Sequence, residues 1–197
     1  MVFLLGRLRE WYERTMNPAG KMLASAQVSP NLLTLLSMLV ALTSGYAYSK
    51  NRPVEGALIM LLSAFIDMLD GAVARASGRV TRFGATLDHV IDRYSEAFIV
   101  TGMIVGGYLE WELGLFAIFG MVMASFTRAK AESVGGLKSC TVGVAERQEK
   151  LLLFIIGSLA TSIYQPSLAY AAFLVGALSN ITVIQRLHYT WNQTEGR

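Results

Sequence analysis

Four aspartates in one short part of the chain have the type and spacing that metal chemistry requires. Asp67 and Asp70 are three residues apart, and Asp88 and Asp92 are four apart. On a helix, side chains at either spacing point the same way, so each pair would present two carboxylates on one face. Mg²⁺, Mn²⁺ and Ca²⁺ prefer such oxygen ligands, whereas zinc favours histidine and cysteine. The pattern predicts a site for divalent cations.

The sequence around these aspartates supports that interpretation. Apolar residues precede the first pair and follow the second, so two antiparallel neighbouring helices would bring both pairs to one end. Four facing carboxylates need cations, and the membrane part of the chain has too few basic residues for a charge-paired bundle without chemistry. His89 follows Asp88 in sequence but would point about 100° away on a helix. We therefore expect His89 to lie at the surface or behind the ligands.

The composition indicates an integral membrane protein. Of the 197 residues, 53% are hydrophobic and only 16% are charged, compared with about 25% charged residues in a soluble domain. The mean hydropathy is +0.45. A net charge of +3 is too small to argue for nucleic acid, and a basic balance favours contact with anionic lipid headgroups. The single cysteine, Cys140, excludes an internal disulfide.

We predict an all-α integral membrane fold with six transmembrane helices and an N-terminal interfacial amphipathic helix. One domain is expected over residues 1–197, divided into the interfacial helix (1–28), a six-helix bundle (29–187) and a cytoplasmic tail (188–197). The predicted spans are Asn31–Ser49, Val54–Leu69, Ile91–Tyr108, Trp111–Phe126, Leu151–Tyr164 and Pro166–Ile184. The stripe expected on the interfacial helix consists of Leu4, Leu8, Trp11, Met16, Ala19 and Met22.

The distribution of basic residues predicts the orientation in the membrane. With six spans and the N-terminus inside, fifteen of the 17 lysines and arginines fall on the inner side, and only Lys50 and Arg52 fall outside. This asymmetry is a strong positive-inside signal. We expect a multi-pass protein of the cell membrane with the aspartates and both termini on the cytoplasmic side.

The aspartates belong to a longer pattern that resembles the signature of the CDP-alcohol phosphotransferase family. That signature is D-x2-D-G-x2-A-R-x8-G-x3-D-x3-D. All eight fixed positions match, at Asp67, Asp70, Gly71, Ala74, Arg75, Gly84, Asp88 and Asp92. The length and the six-span pattern also fit this family, whose members transfer a phosphatidyl-type group from a CDP-linked donor to an alcohol and release CMP.

The resemblance implies a role for each matching residue. Two Mg²⁺ ions, with Mn²⁺ as an alternative, would be held by Asp67, Asp70, Asp88 and Asp92, and Asp92 would also be the general base for the acceptor hydroxyl. The residues implied in CDP-lipid binding, beside Asp67 and Asp70, are Pro30, Asn31, Leu32, Leu33, Gly71, Ala74, Arg75, Thr81 and Gly84. For Gly71 and Gly84, helix packing is the alternative interpretation. The resemblance also implies a homodimer, which small residues at Gly102, Gly106, Gly107, Gly114 and Gly120 would permit.

The acceptor alcohol is predicted from basic residues elsewhere. Arg128, Lys130, Arg147 and Arg186 are cytoplasmic in this topology, and fixed cations beside a metal site suggest an anionic acceptor such as a sugar phosphate. Ordinary positive-inside charge or lipid-headgroup binding is the alternative. The segments RAKAES and VGVAER resemble the branch of the family that uses L-myo-inositol 1-phosphate, and DRYSE resembles its archaeal members.

Several functions remain open at this point. The leading hypothesis is transfer from CDP-archaeol or CDP-diacylglycerol to inositol 1-phosphate. The same chemistry could use glycerol 3-phosphate, serine or another inositol phosphate. A divalent-cation transporter is the alternative from a different class, but it requires polar residues at the bilayer midplane, and the outer halves of the spans offer few.

Overall fold

The computed structural model describes residues 16–195, and every regular element in that range is a helix. Helix α1 is described from residue 16 to residue 25. The helices that follow are α2 (Pro30–Ser49), α3 (Pro53–Ala76), α4 (Arg82–Val105), α5 (Trp111–Ser133), α6 (Arg147–Ala160) and α7 (Ser167–Thr194). The prediction of an all-helical fold is confirmed for the described residues. Positions 4, 8 and 11 of the predicted amphipathic stripe lie outside them.

Within residues 16–195, four helices are long and apolar enough to cross a membrane, namely α2, α3, α5 and α7. Helix α4 is long enough, but its first half carries the charged residues of the signature. Helix α6 has only 14 residues, which rise about 21 Å at 1.5 Å per residue, whereas the hydrocarbon core is about 30 Å thick. A membrane-type helical protein is therefore confirmed, and the count of six spans stays a prediction.

The helices extend further into charged sequence than the predicted spans. The third predicted span begins at Ile91, but α4 begins at Arg82, so Asp88 and Asp92 both lie within it. The last predicted span ends at Ile184, but α7 continues to Thr194, through most of the segment expected to form a tail. A hydropathy pattern stops at charged residues, whereas backbone hydrogen bonding in a helix continues through them.

The fourth predicted span, which ends at Phe126, stops too early for the same reason. Residues 127–133 form the last two turns of α5, with Thr127 and Ala131 buried. Arg128 and Glu132 form an ion pair four residues apart, a spacing that supports a helix. Arg128 and Lys130 therefore lie on a helix and not on a flexible loop.

The chain divides into two compact units. The first contains the described residues up to Ser44 together with Ile59–Phe98. Within it, α1 lies against α3, because a Cβ atom added at Gly20 would come within 2.9 Å of Ala72. Helices α2 and α3 are also joined there, since the Ser63 hydroxyl donates a hydrogen bond of 2.8 Å to the carbonyl of Ser37.

The second unit contains Gly45–Leu58 and the described residues from Ile99 onward. Helix α7 packs along α5 and α6 in this unit. Glycines allow close contact between its helices, because a Cβ atom at Gly102 would lie 2.1 Å from the carbonyl oxygen of Gly45 and one at Gly106 equally close to that of Tyr48. Gly114 packs against Ile104, and Gly120 against α7. These glycines are used within the chain, so they no longer support a homodimer.

Candidate metal and nucleotide site

Three aspartates from two helices meet in the first unit. Asp67 and Asp70 lie on α3 and Asp88 on α4, and one carboxylate oxygen from each lies within 4.8 Å of the others. The i,i+3 spacing on α3 places the first two side by side, as the sequence predicted. The meeting of the two helices is thus confirmed for three of the four aspartates.

Asp92 lies in a second group that shares Asp88. Ligand atoms of Asp88, His89 and Asp92 are also within 4.8 Å of one another. Because the side chains of adjacent helical residues point in different directions, the sequence predicted that His89 points away from the ligands. Its Nδ1 atom is nevertheless 3.9 Å from Oδ2 of Asp88. Its side chain is 75% exposed, whereas Asp92 is buried. Asp88 is therefore the link between a three-aspartate group and the buried Asp92.

Thr34 is a site residue that sequence reasoning missed. Its hydroxyl donates a buried hydrogen bond to Oδ2 of Asp70, and Thr34 itself is only 3% exposed. Thr34 follows the predicted segment at residues 30–33 by one position. The available signal was its position one turn into α2, directly after residues expected to contact the nucleotide. A hydrogen bond of this kind fixes the orientation of a ligand carboxylate.

The start of α2 approaches the start of α4 beside the aspartates. A Cβ atom added at Gly84 would lie 3.2 Å from Oδ1 of Asn31 and 3.0 Å from Oγ1 of Thr81. Thr81 also caps α4, because its hydroxyl accepts a 3.0 Å hydrogen bond from the backbone N–H of Gly84. A side chain at position 84 would thus intrude between two polar groups, and the glycine keeps them close together.

Gly71 likewise leaves space for a polar side chain, that of Arg75 one turn later on α3. A Cβ atom at Gly71 would lie 3.2 Å from Nη1 of Arg75, so the guanidinium folds back over the glycine. Arg75 is exposed, and Ala74 is partly buried. In the other predicted segment, Leu32 is exposed, Leu33 is buried, and Pro30 is the first residue of α2. The polar candidates Asn31, Thr81 and Arg75 are therefore all on one unit with the aspartates.

The donor set fits divalent cations. Three carboxylates in close contact repel one another, and a hard cation removes that repulsion while using the same oxygens as ligands. Carboxylate oxygens supply all three ligand atoms of this group. Oxygen ligands from Asp67, Asp70 and Asp88 would suit Mg²⁺ or Mn²⁺, with Asp92 available through Asp88.

The basic residues predicted for the acceptor lie in the second unit. Arg128 on α5 donates from Nε to Oε1 of Glu132 at 3.1 Å. The same oxygen accepts a hydrogen bond of 3.0 Å from the backbone N–H of Cys140. Glu132 therefore fixes both the guanidinium of Arg128 and the segment that follows α5.

Arg186 is bound to the same part of the unit. It is 7% exposed, and its Nε atom donates to the carbonyl of Val142 at 2.9 Å. Its Nη1 atom donates to the carbonyl of Ala124 on α5. Arg186 thus joins α7 to α5 and to the α5–α6 segment.

The remaining two predicted residues have different surroundings. Arg147 is the first residue of α6, directly after the capping residue Glu146. Lys130 is exposed, and its Nζ atom lies 5.5 Å from the ring centre of Phe126. Because Lys130 is two residues from Arg128 on the same helix, the two side chains leave it in nearly opposite directions. Sequence reasoning missed Lys150, a buried cation one turn after Arg147.

Comparison with known proteins places these residues in a family. Residues 27–184 match the family model described as CDP-alcohol phosphatidyltransferase. The chain is 35% identical to archaetidylinositol phosphate synthase of Pyrococcus horikoshii, with 94% of this chain and 95% of that protein covered. It is 37% identical to the enzyme of the same name from Methanothermobacter thermautotrophicus, covering 96% and 95%.

Solved structures of phosphatidylinositol phosphate synthase from Mycobacterium tuberculosis have the same fold. The structure with CDP-DAG bound superposes with a TM-score of 0.80 at 28% identity, covering 90% of this chain and 94% of that one. A second structure, in complex with manganese and citrate, has a TM-score of 0.81 at 27% identity, covering 89% and 88%. The chain that carries the signature is thus similar to these proteins in both sequence and fold.

Proposed function

The chain belongs to the CDP-alcohol phosphatidyltransferase family, and we propose that it transfers the lipid phosphate of a CDP-linked lipid to an inositol phosphate and releases CMP. The observation that carries the proposal is the meeting of Asp67, Asp70 and Asp88 between α3 and α4. The same two helices carry the rest of the family signature. The family match favours this transferase over the alternative of a divalent-cation transporter.

The four aspartates are proposed to hold two divalent cations. Asp67, Asp70 and Asp88 would be ligands, and Asp92 would share the second ion. Mg²⁺ is the expected ion, and manganese is present in one related structure. Cations bound there neutralise diphosphate charge and make CMP a better leaving group. The hydrogen bond from Thr34 restricts the orientation of the Asp70 carboxylate, and such a bond would support its role as a ligand.

Asp92 is proposed to be the general base. The acceptor hydroxyl oxygen attacks the phosphorus that carries the lipid, the bond from that phosphorus to the CMP oxygen breaks, and the hydroxyl proton passes to Asp92. Asp92 is buried on α4, one turn from Asp88. A carboxylate that is held rigidly near the metal ligands is suited to proton transfer at the reacting atom.

The nucleotide is proposed to bind where α2, α3 and α4 begin or end. Arg75 can pair with a phosphate, and Asn31 and Thr81 offer hydrogen-bonding groups. Gly71 and Gly84 leave space beside these polar side chains. Pro30, Leu32, Leu33 and Ala74 complete the proposed CDP-lipid contacts, with exposed Leu32 on the lipid side.

Inositol 1-phosphate is the proposed acceptor. Two relatives at 35% and 37% identity are named archaetidylinositol phosphate synthase, which favours an inositol phosphate over glycerol 3-phosphate or serine. Arg128, Lys130, Arg147 and Arg186 remain the proposed phosphate-binding residues, on the basis of their charge. The archaeal names favour CDP-archaeol as donor, and CDP-diacylglycerol is the alternative.

The test is CMP release from each donor with a panel of acceptors. We expect Mg²⁺-dependent release with inositol 1-phosphate, and little with glycerol 3-phosphate, serine or another inositol phosphate. Turnover with one of these and none with inositol 1-phosphate would reject the proposed acceptor. Metal flux into liposomes without any need for CDP-lipid would support the transporter instead.

We also propose that the chain forms one domain with six spans. Both termini and the aspartates would face the cytoplasm. Cys140 is fully buried, so single cysteines introduced at Lys50 and Arg79 can be labelled selectively. An impermeant maleimide should label position 50 from outside intact cells and position 79 only after lysis. The homodimer implied by the family is tested separately, by the mass of the protein in detergent.

A further inference from the structure

A buried charge network lies beside Asp92 on α4. Glu96 is one turn after Asp92 and is 5% exposed. The Nη1 atom of Arg93 is 2.9 Å from Oε2 of Glu96, and its Nη2 atom is 3.6 Å from Oδ2 of Asp92. One guanidinium therefore faces two carboxylates of the same helix. None of the roles derived above requires Arg93 or Glu96.

The two contacts of Arg93 differ in kind. The 2.9 Å contact between Nη1 of Arg93 and Oε2 of Glu96 is a close, buried ion pair. The 3.6 Å contact with Asp92 is too long for a hydrogen bond but close enough for strong attraction. Glu96 is therefore the nearer of the two carboxylates that hold the guanidinium, and the guanidinium attracts the Asp92 carboxylate across the longer distance.

The position of Arg93 reduces the repulsion between two neighbouring carboxylates. Asp92 and Glu96 are four residues apart, a spacing at which like charges on a helix repel. Both are buried, where a carboxylate needs a compensating charge. Arg93 compensates both, and its planar fork presents separate N–H groups to two carboxylates in a fixed geometry that the flexible ammonium group of a lysine lacks. The Asp92 side chain is thereby held toward Arg93.

We propose that Arg93, anchored by Glu96, is a positioning residue that orients the carboxyl group of Asp92 for proton transfer. The inference rests on the proposed function, because it assumes that Asp92 is the base. A displaced base loses rate even when substrates still bind, since proton transfer depends steeply on geometry. The effect should therefore appear in kcat rather than in the KM of either substrate.

The experiment compares Arg93→Gln, Glu96→Gln, the double variant and Arg93→Lys, with Arg52→Gln as the matched control. Arg52 and Glu55 form an ion pair of the same spacing, with Nη1 and Oε2 3.2 Å apart, but both are exposed. We expect Arg93→Gln to lower kcat by about tenfold or more, with both KM values changed less than about twofold. Arg93→Lys should recover only part of the rate, and Arg52→Gln should match the wild type.

Two further measurements separate positioning from a general loss of structure. The double variant should be no slower than Arg93→Gln, because both changes act through Asp92. Thermal unfolding in detergent identifies variants that have lost the fold. If Arg93→Gln is one of them, kcat is measured instead in the double variant, which removes both buried charges.

The outcomes distinguish this inference from the proposed function. The comparison is made with whichever alcohol supports turnover, so failure of inositol 1-phosphate rejects the acceptor and leaves the Arg93 test intact. Unchanged kcat in a folded Arg93→Gln variant would overturn the inference, as would a double variant that is much slower than Arg93→Gln. Absence of turnover with every acceptor would reject the function and this inference together.

Discussion

The hydroxyl of Thr34 on α2 donates a hydrogen bond to the carboxylate of Asp70 on α3. Both residues are buried, so the bond forms where a misplaced carboxylate would be costly. It connects the segment proposed to contact the nucleotide with an aspartate proposed to bind metal. Thr34 would therefore lie behind a metal ligand, and side chains in such positions affect the affinity for the metal.

Thr34→Val removes the hydroxyl and keeps the shape of the side chain. We expect the Mg²⁺ or Mn²⁺ concentration for half-maximal activity to rise about tenfold, because Asp70 loses its orienting hydrogen bond. The measurement is a metal titration of CMP release. Thr43→Val is the control, since its hydroxyl bonds only to the carbonyl of Val40 on the same exposed helix face. An unchanged metal requirement in Thr34→Val would show that the bond serves only the fold.

Asp92→Asn should abolish turnover and leave CDP-lipid binding largely intact. The change removes the proposed base but keeps Asp67, Asp70 and Asp88 for the metals, and loss of a general base lowers rates by about 10²–10⁴-fold. Binding of CDP-lipid and initial rates are measured on the same preparation. Asp67→Asn is the comparison, because it should weaken binding as well. Near-normal activity of Asp92→Asn would exclude the role of base.

Arg147→Ala should raise the KM of the acceptor more than that of the donor. A lost charge-assisted hydrogen bond to a phosphate is worth about 1.5–3 kcal/mol, which corresponds to roughly ten- to a hundredfold in KM. Initial rates with each substrate varied in turn provide the answer. Lys138→Ala is the control, as an exposed cation in the segment just before α6. Equal changes in both KM values would instead indicate a structural role.

Gly102→Ala should destabilise the protein much more than Gly114→Ala. The new Cβ atom at position 102 would meet the backbone of Gly45 at 2.1 Å, whereas at position 114 it would meet the end of the Ile104 side chain, which can move. Overpacking typically costs about 1–3 kcal/mol, and a backbone obstacle places Gly102 at the upper end. Thermal unfolding in detergent measures the difference. Similar stability of the two variants would contradict the described contact between α4 and α2 in the second unit.

The sequence predicted the grouping of the aspartates better than the limits of the helices that carry them. Asp67, Asp70 and Asp88 come together because i,i+3 spacing and an antiparallel turn bring them to one place, and both features are local. The end of α5 was misjudged because hydropathy stops at Arg128, although the Arg128–Glu132 pair and buried Ala131 continue the helix. Charged helix ends lack the apolar signal on which span prediction relies.

Contacts between distant segments were beyond sequence reasoning. The hydrogen bond from Thr34 to Asp70 joins residues 36 positions apart, and nothing in the spacing of either segment indicates it. The buried bonds of Arg186 to Val142 and Ala124 also depend on how α7 packs. The sequence predicted a phosphate contact for Arg186, with ordinary positive-inside charge or lipid-headgroup binding as the alternative. The structure adds that this guanidinium also binds backbone carbonyls.

The most direct test of the central claim is identification of the lipid product. Purified protein, CDP-archaeol, inositol 1-phosphate and Mg²⁺ should yield CMP and an equal amount of a lipid whose mass is that of archaeol joined through phosphate to inositol phosphate. Chelation of the metal by EDTA, or the Asp92→Asn change, should remove both products. CMP without the inositol-phosphate lipid, or the same lipid at the same rate in EDTA, would contradict the account.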